Sequence, residues 1–400
     1  MERSTPWFGI GFLNLINCFS ILDAKERQID VHFVSSTYRN RIKSLAKLVR
    51  DGYSFYLIAS ESNLRYFFGY AGRSFERFSC GLISSDGEKS AIIVPELDRK
   101  KAEQSFAQMI LSWTDNETYK PALNKAVSEL AIEEGTIGCE DSLTLGMMES
   151  LKVVLPGIRF RSVSKAIERL RMKKDEFELR LVRNASRILV TCYSMAEKLI
   201  KPGVRECDVA NSIKNFLLAQ GAKSVNFCAI QSGRNGAIPH LESTPKRIER
   251  GDMVIVDVSM TSNDGYFADL TRTYSVGKAS SLQREIYETV KAAQCVAFKE
   301  ARIGTPSDLV DRSARRVIEE AGYGKFFIHR TGHGLGLDVH EPPWISHGNK
   351  EKLANGMVFT IEPGIYLPRK FGVRIEDDVA IEDGRPVMIS QRLERDLREI

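Results

Sequence analysis

The chain has 400 residues, with 57 basic and 52 acidic side chains, a formal net charge of +5, and 43% apolar and 27% charged residues. That length exceeds what one hydrophobic core usually supports, so two folded units are expected. The near balance of charge, with no basic stripe and no glycine-rich phosphate loop, excludes a nucleic-acid partner. Seven cysteines at irregular spacings, with no C-x-x-C, exclude a disulfide framework or a thiolate zinc site. They read as reduced core residues of a cytoplasmic protein.

In chain order, Trp7 to Leu22 is apolar and follows Arg3, as in the core of a signal peptide. Asn14 and Asn17 interrupt it, no small-x-small cleavage site follows, and it is too short to cross a bilayer. Residues 1–35 are therefore read as an N-terminal extension, with no membrane association. Tyr38 to Arg50 has helical spacing, and Phe55 to Ala59 reads as a strand. Cys80 to Ile83 and Ser90 to Val94 flank the turn at Asp86-Gly87. Helical patterns over Leu97 to Met109 and Pro121 to Glu134 precede strand signals near Ile137 and at Arg159 to Val163. This predicts an α/β domain over 36–169.

A charged stretch, Glu168 to Glu176, leads into a long helix whose stripe is Phe177, Leu181, Ala185, Ile188, Cys192, Met195 and Leu199. Pro202-Gly203 ends it. A second domain, 170–400, then carries helices at about Glu206 to Gln220, Leu282 to Ala301 and Pro306 to Ala321, interleaved with strands. No short-period repeat is evident.

The strands hold the chemistry. Asp257, Asp269, His333, Glu362 and Glu376 each lie in an apolar or glycine-rich stretch, where a lone carboxylate is costly unless something pairs with it. M-V-I-V-D-V-S-M (253–260) and Y-F-A-D-L-T-R-T-Y (266–274) flank the turn-forming Ser262-Asn263-Asp264-Gly265. In an unbulged hairpin centred on Asn263, Asp257 and Asp269 face each other. Likewise Glu362 and Glu376 each lie seven residues from Arg369, although Pro363-Gly364 can bulge that ladder. Between the hairpins, H-R-T-G-H-G-L-G-L-D-V-H-E (329–341) holds three of the six histidines, with glycines that let the backbone approach a ligand closely. Four carboxylates and one imidazole suit two divalent ions such as Mn, Co, Fe or Zn.

These stretches, with G-D-M-V-I-V-D (251–257), D-L-T-R-T (269–273), T-I-E-P-G-I-Y (360–366) and G-V-R-I-E-D-D-V (372–379), resemble the pita-bread metallopeptidases: Xaa-Pro dipeptidases, aminopeptidase P and methionine aminopeptidases. The resemblance implies a creatinase-like α/β domain followed by a pita-bread catalytic domain with a pseudo-twofold α/β layout. It implies metal ligands at Asp257, Asp269, His333, Glu362 and Glu376, with Asp269 and Glu376 shared by both ions, and substrate-side histidines at His240 and His340. The two aspartates stand twelve apart where the family usually has eleven, so a bulge is expected to restore the register.

The implied chemistry is attack on the scissile carbonyl by a hydroxide made available by two metal ions, Mn above all. Glu362 then moves the proton to the leaving nitrogen. Arg374, two residues before Glu376, is expected to orient that carboxylate, with Asp378 holding Arg374 in turn. Tyr366 and Thr273 are weaker candidates, and His329 and His347 are left outside the site. The N-terminal domain favours an Xaa-Pro peptidase acting on short proline-containing peptides, as a homodimer with the loop Gly69 to Phe78 closing over the partner's site. Some prolidases carry an arginine where Trp344 stands here, which leaves a dipeptide carboxylate to another basic residue and offers an aromatic wall for proline. The alternatives are aminopeptidase P, a metal-free creatinase-like hydrolase and a non-catalytic pita-bread binding module.

Overall fold

Short apolar runs bounded by turn residues build most of the first half of the chain. A computed structural model of the protein describes residues 31–49, 52–72, 76–131, 135–390 and 393–400. The signal-like stretch Trp7 to Leu22 lies outside the described residues, as do positions 73–75 of the loop Gly69 to Phe78. Two compact units meet in sequence between Arg171 and Met172. Among the described residues no helix is long and apolar enough to cross a membrane, and none of the six described cysteines is in a disulfide.

The first unit begins with α1 (Val31–Val49) and holds β1 (Phe55–Ile58), α2 (Glu61–Phe68), β2 (Cys80–Ser84), β3 (Ser90–Pro95), α3 (Arg99–Ala102), β4 (Met109–Trp113), α4 (Lys120–Glu129), β5 (Thr136–Cys139), α5 (Leu145–Val154), β6 (Arg159–Ser162) and most of α6 (Ser164–Met172). Its sheet runs β4-β3-β2-β1-β5-β6. Phe55, Leu57, Leu82, Ile93 and Ile137 pack with Leu123, Ala126 and Leu151 of the helices. The helix expected over Leu97 to Met109 shrinks to the single turn of α3, and Met109 starts a strand parallel to β3. Leu97 is 77% exposed, so the helical stripe has no core to meet. Met109, Leu111 and Trp113 do pack on the core, in strand alternation.

The second unit is built twice. Helices α7 (Glu176–Leu199) and α8 (Glu206–Ala219) precede β7 (Ala222–Ser232), β8 (Met253–Ser262) and β9 (Phe267–Ser275). Helices α9 (Ser281–Glu300) and α10 (Ser307–Glu320) precede β10 (Gly332–Gly334), β11 (Glu341–Ile345), β12 (Val358–Ile361), β13 (Gly364–Leu367), β14 (Phe371–Arg374), β15 (Asp377–Glu382) and β16 (Arg385–Met388). The terminal β17 (Arg398–Glu399) completes a β17-β9-β8-β7 sheet, while the other sheet runs β11-β10-β12-β15-β16 and β13 pairs with β14. Helix α7 starts at a capping box of Asp175 and Glu178. Its stripe from Phe177 through Cys192 is buried, whereas Met195 and Leu199 are half-buried.

The backbone repeats in detail. Gly203 N bonds Ile248 O and Ile248 N bonds Val204 O; one half later, Gly304 N bonds Leu353 O and Leu353 N bonds Thr305 O. Gly251 N bonds Val276 O, and Gly356 N bonds Ile381 O. Each of these last glycines has positive φ, +91° and +83°, and stands six residues before Asp257 and Glu362 respectively. The eleven-residue β7 is not apparent in the sequence because register shifts at Ala222/Ser224 and Val225/Phe227 break its alternation.

Candidate metal centre

Alternation along β8 and β9 sends Val254, Val256, Val258 and Leu270 into the core beneath α7 and α8. It turns Asp257, Asp269 and Thr271 to the opposite face. Asp257 pairs with Thr271 and Asp269 with Ser259. The two aspartates are therefore diagonal neighbours on one face, not directly opposed as expected. The turn centres one residue later, with Gly265 N bonded to Ser262 O. No bulge intervenes in this ladder, since an even spacing already keeps both side chains on one face.

The second hairpin keeps one register across an interruption: Ile361 pairs with Asp377, and Gly364 with Arg374. Glu362 and Glu376 fill the gap between these pairs, opposite each other. Their backbones bond outwards instead, Glu362 N to Thr331 O at 2.8 Å and Glu376 N to Thr271 O at 3.0 Å. Glu376 thus lies against the first hairpin.

His333 reaches the same place from β10. A Cβ on Gly332 would come within 1.9 Å of Thr360 O, and one on Gly334 within 2.3 Å of Pro342 O. These two glycines serve the close approach of neighbouring strands. His333 Nδ1 lies 3.1 Å from Gly334 O, and Nε2 faces Glu362 Oε1 at 3.2 Å and Asp269 Oδ2 at 4.0 Å. Fixing Nδ1–H on a carbonyl leaves the Nε2 lone pair for a cation.

Three overlapping sets result: Asp257, Asp269 and Glu376; His333, Glu362 and Glu376; and Asp269, His333 and His340. In each, the candidate ligand atoms lie within 4.8 Å of one another. Burial, then the neighbouring carboxylates, push Asp269 and Glu376 well above the usual carboxylate range. Asp257 is raised by burial too, against the pull of Arg374. Burial opposes ionisation of Glu362 as well, but the His333 contact, His329 and Arg374 hold its carboxyl down to about 2. Four carboxylates crowded around one guanidinium are short of positive charge. The donor set fits hard divalent cations that would make up the deficit.

Arg374 does not take the expected place beside Glu376. Its guanidinium bonds Asp257 through Nη2, Tyr366 OH at 2.7 Å and Thr271 Oγ1 at 3.3 Å. Glu376 is instead held by the Thr271 hydroxyl at 2.7 Å. The antiparallel β13-β14 turn aims Arg374 across at the first hairpin. Asp378 does not hold Arg374; its Oδ2 accepts from Asp269 N at 3.3 Å. Thr273 Oγ1 bonds the Arg374 backbone.

His340 is exposed at its edge and stacks edge-on against His333, ring centroids 4.1 Å apart. Burial of its inner side, then His333 and Arg330, lower its pKa to about 4. His240 lies on the exposed loop after β7, within electrostatic reach of His340 and His329 but outside the three ligand sets.

Residues 180–383 match metallopeptidase family M24, and residues 41–173 match the creatinase/prolidase N-terminal domain. The chain is 34% identical over 365 residues to the Xaa-Pro dipeptidase of Pyrococcus furiosus, covering 90% of this chain and 99% of that one. The chain belongs to metallopeptidase family M24. Against the probable dipeptidase PepE of Mycobacterium tuberculosis, this M24 chain is 33% identical over 358 residues, 88% of its own length and 94% of the relative's. Its structure superposes on the prolidase of Thermococcus sibiricus with a TM-score of 0.84 at 36% identity, covering 91% and 99% of the two chains.

Family M24 implies divalent metal ions and peptide hydrolysis. Around that centre, sequence reasoning missed three contributors. Thr360 Oγ1 accepts from His333 N at 3.1 Å and donates to Glu362 Oε1 at 3.1 Å. Thr271 links Arg374 to Glu376, and His329, set aside in the sequence, has Nε2 2.9 Å from Tyr366 OH. The position of Thr360, two residues before Glu362 on the same strand face, was the available signal. His347 lies apart, 3.5 Å from Asp308.

Proposed function

We propose that this metallopeptidase cleaves Xaa-Pro dipeptides, with Asp257, Asp269, His333, Glu362 and Glu376 holding two divalent cations, Mn²⁺ by preference. The observation that carries this reading is the overlap of the three ligand sets, in which Asp269, His333 and Glu376 each belong to two. Bound there, the cations supply a hydroxide-strength nucleophile at neutral pH and positive charge for the carbonyl oxygen. Glu362 accepts the nucleophile's proton at Oε2, because Oε1 accepts from the Thr360 hydroxyl, and returns it to the leaving nitrogen. A pKa near 4 keeps His340 neutral at pH 7, able to donate a hydrogen bond to the substrate carbonyl. His240 is the second donor. Arg374 keeps Asp257 ionised and oriented.

Support for a dipeptide over a longer peptide comes from Arg330. Its guanidinium lies over the Trp344 ring at 4.4 Å, and among the described residues no carboxylate is ion-paired to it. It stands within electrostatic reach of Glu362 and His340. A free C-terminal carboxylate matches that unpaired, half-buried cation, and the indole offers a wall for a proline ring. The relatives named as Xaa-Pro dipeptidases and prolidases agree with this choice. The enzyme is further read as a cytoplasmic homodimer.

The test is an assay of Mn²⁺-reconstituted protein on Ala-Pro, on an Xaa-Pro-Xaa tripeptide and on Met-Ala peptides. Ala-Pro is expected to be hydrolysed fastest. Preference for the tripeptide would replace the dipeptidase reading with aminopeptidase P, and turnover of the Met substrate alone would sink both.

A further inference from the structure

The loop that carries His240 is held by a side chain with no part in the chemistry above. Gln231 lies on β7 opposite Ile255, two residues along from Ala229, which is opposite Asp257. Gln231 and Asp257 therefore share one face of the sheet. Gln231 is fully buried. Its Nε2 donates to three backbone carbonyls, Ile238 O at 3.0 Å, Pro239 O at 3.1 Å and Leu241 O at 2.7 Å.

Those carbonyls bracket His240. Leu241 N closes a turn on Ile238 O at 3.1 Å, with Pro239 and His240 at its two central positions and the proline φ preset. The ends of the same loop are fixed separately. The buried Glu206 carboxylate accepts from Ser232 N and Oγ, Asn235 Nδ2, and Thr244 N and Oγ1. Glu206 therefore anchors the loop ends, and Gln231 fixes the turn between them. Gln231 Oε1 meanwhile has no partner. An orphaned buried acceptor is destabilising, and an apolar residue of the same shape would avoid it. What an apolar residue cannot supply is the donor to the turn.

We infer that Gln231 is a positioning residue, which sets the His240 imidazole relative to β8 and its Asp257. This rests on the reading of His240 as a substrate-side donor. Displacing such a donor by about 1 Å costs up to a hundredfold in rate, whereas loss of a merely structural contact would not act through His240.

The experiment compares Gln231→Met, His240→Ala and the double variant, with kinetics on the Mn²⁺-loaded enzymes and the histidine ring ¹⁵N–¹H spectrum of each recorded on protein loaded with diamagnetic Zn²⁺. The His240 signal is assigned by its loss in His240→Ala. Gln231→Met is expected to lower kcat by roughly tenfold to a hundredfold and to shift and broaden the His240 ring signal. The double variant should be no slower than His240→Ala, because residues acting through one another are not additive. Unmoved His240 signals in Gln231→Met, or losses that multiply in the double variant, would overturn the inference while leaving His240's role standing. A His240→Ala enzyme as fast as wild type would overturn the role of His240, and the role of Gln231 with it. Should Gln231→Met not yield folded protein, Gln231→Asn, which withdraws the amide by one methylene, carries the same predictions.

Discussion

The two hairpins of the second unit solve one problem in different ways. In the first, the β8-β9 ladder runs unbroken past Asp257 and Asp269, and the carboxylates sit diagonally on one face. In the second, the ladder opens at Glu362 and Glu376, and both backbones bond to other segments, Thr331 and Thr271. The continuous ladder makes the first pair a rigid shelf. The broken one lets the second pair reach it, so that Thr271 pairs with Asp257 on one side and Glu376 on the other. A shared site thus needs one hairpin to give up part of its own pairing.

The largest effect should follow from cutting the carboxylate that belongs to the broken ladder but lies on the shelf. Glu376→Gln is expected to lower kcat/KM on Ala-Pro by at least about a thousandfold, since cations supply several kcal/mol of charge stabilisation. A loss under tenfold would mean that Glu376 is only a structural bridge. Next is Arg374, which ties the second hairpin to Asp257. Arg374→Met leaves a buried carboxylate unpaired and should cost on the order of 3 kcal/mol in urea unfolding of the metal-free protein. An unchanged midpoint would show that the hairpins hold together without it.

The pH dependence separates the hairpins' charges. In chelated protein, burial and neighbouring carboxylates keep Asp269 and Glu376 protonated well above their ordinary range. The folded state then holds more protons than the unfolded chain above pH about 4. Its stability from this source is greatest below that pH and falls as the pH rises. Mn²⁺ should reverse the fall. Glu362, held down to about 2, contributes in the opposite sense, and its stabilisation is lost only as the pH drops below about 4. Melting curves between pH 2 and 8, with and without Mn²⁺, measure both; stripped protein that gained stability with pH above about 4 would contradict the charge crowding.

The smallest effect compares the repeated glycines. Gly251 and Gly356 share a positive φ, but a Cβ at Gly251 meets nothing within 4 Å, whereas one at Gly356 lies 2.5 Å from Lys174 O. Gly251→Ala should cost about 1–2 kcal/mol from the backbone alone, and Gly356→Ala clearly more. Equal thermal shifts would mean that the second site relaxes freely.

Much of this centre is legible in the chain because metal-type ligands in apolar strands are chemically conspicuous. The symmetric spacing about Arg369 correctly anticipates Glu362 opposite Glu376. The first hairpin is legible only to within its turn, since Asn263, Asp264 and Gly265 all favour turns and do not fix the centre. Arg374 is misdirected in the sequence reading because its partner, Asp257, is 117 positions away and joined to it only by the fold. Thr271, Thr360 and Gln231 escape notice for a related reason. A hydroxyl or amide in a strand announces nothing until the atoms it bonds are known. Helix α3 and strand β4 fail differently, because helical periodicity is uninformative where no core lies beneath Leu97.

The central claim is that two hairpins jointly hold a pair of cations, and titration calorimetry of chelated protein with Mn²⁺ tests it most directly. Wild type should take up two ions per chain, and Asp269→Asn, altering a carboxylate common to two of the ligand sets, should lose that stoichiometry while remaining folded. No uptake by wild type, or the same two ions in Asp269→Asn, would contradict the account.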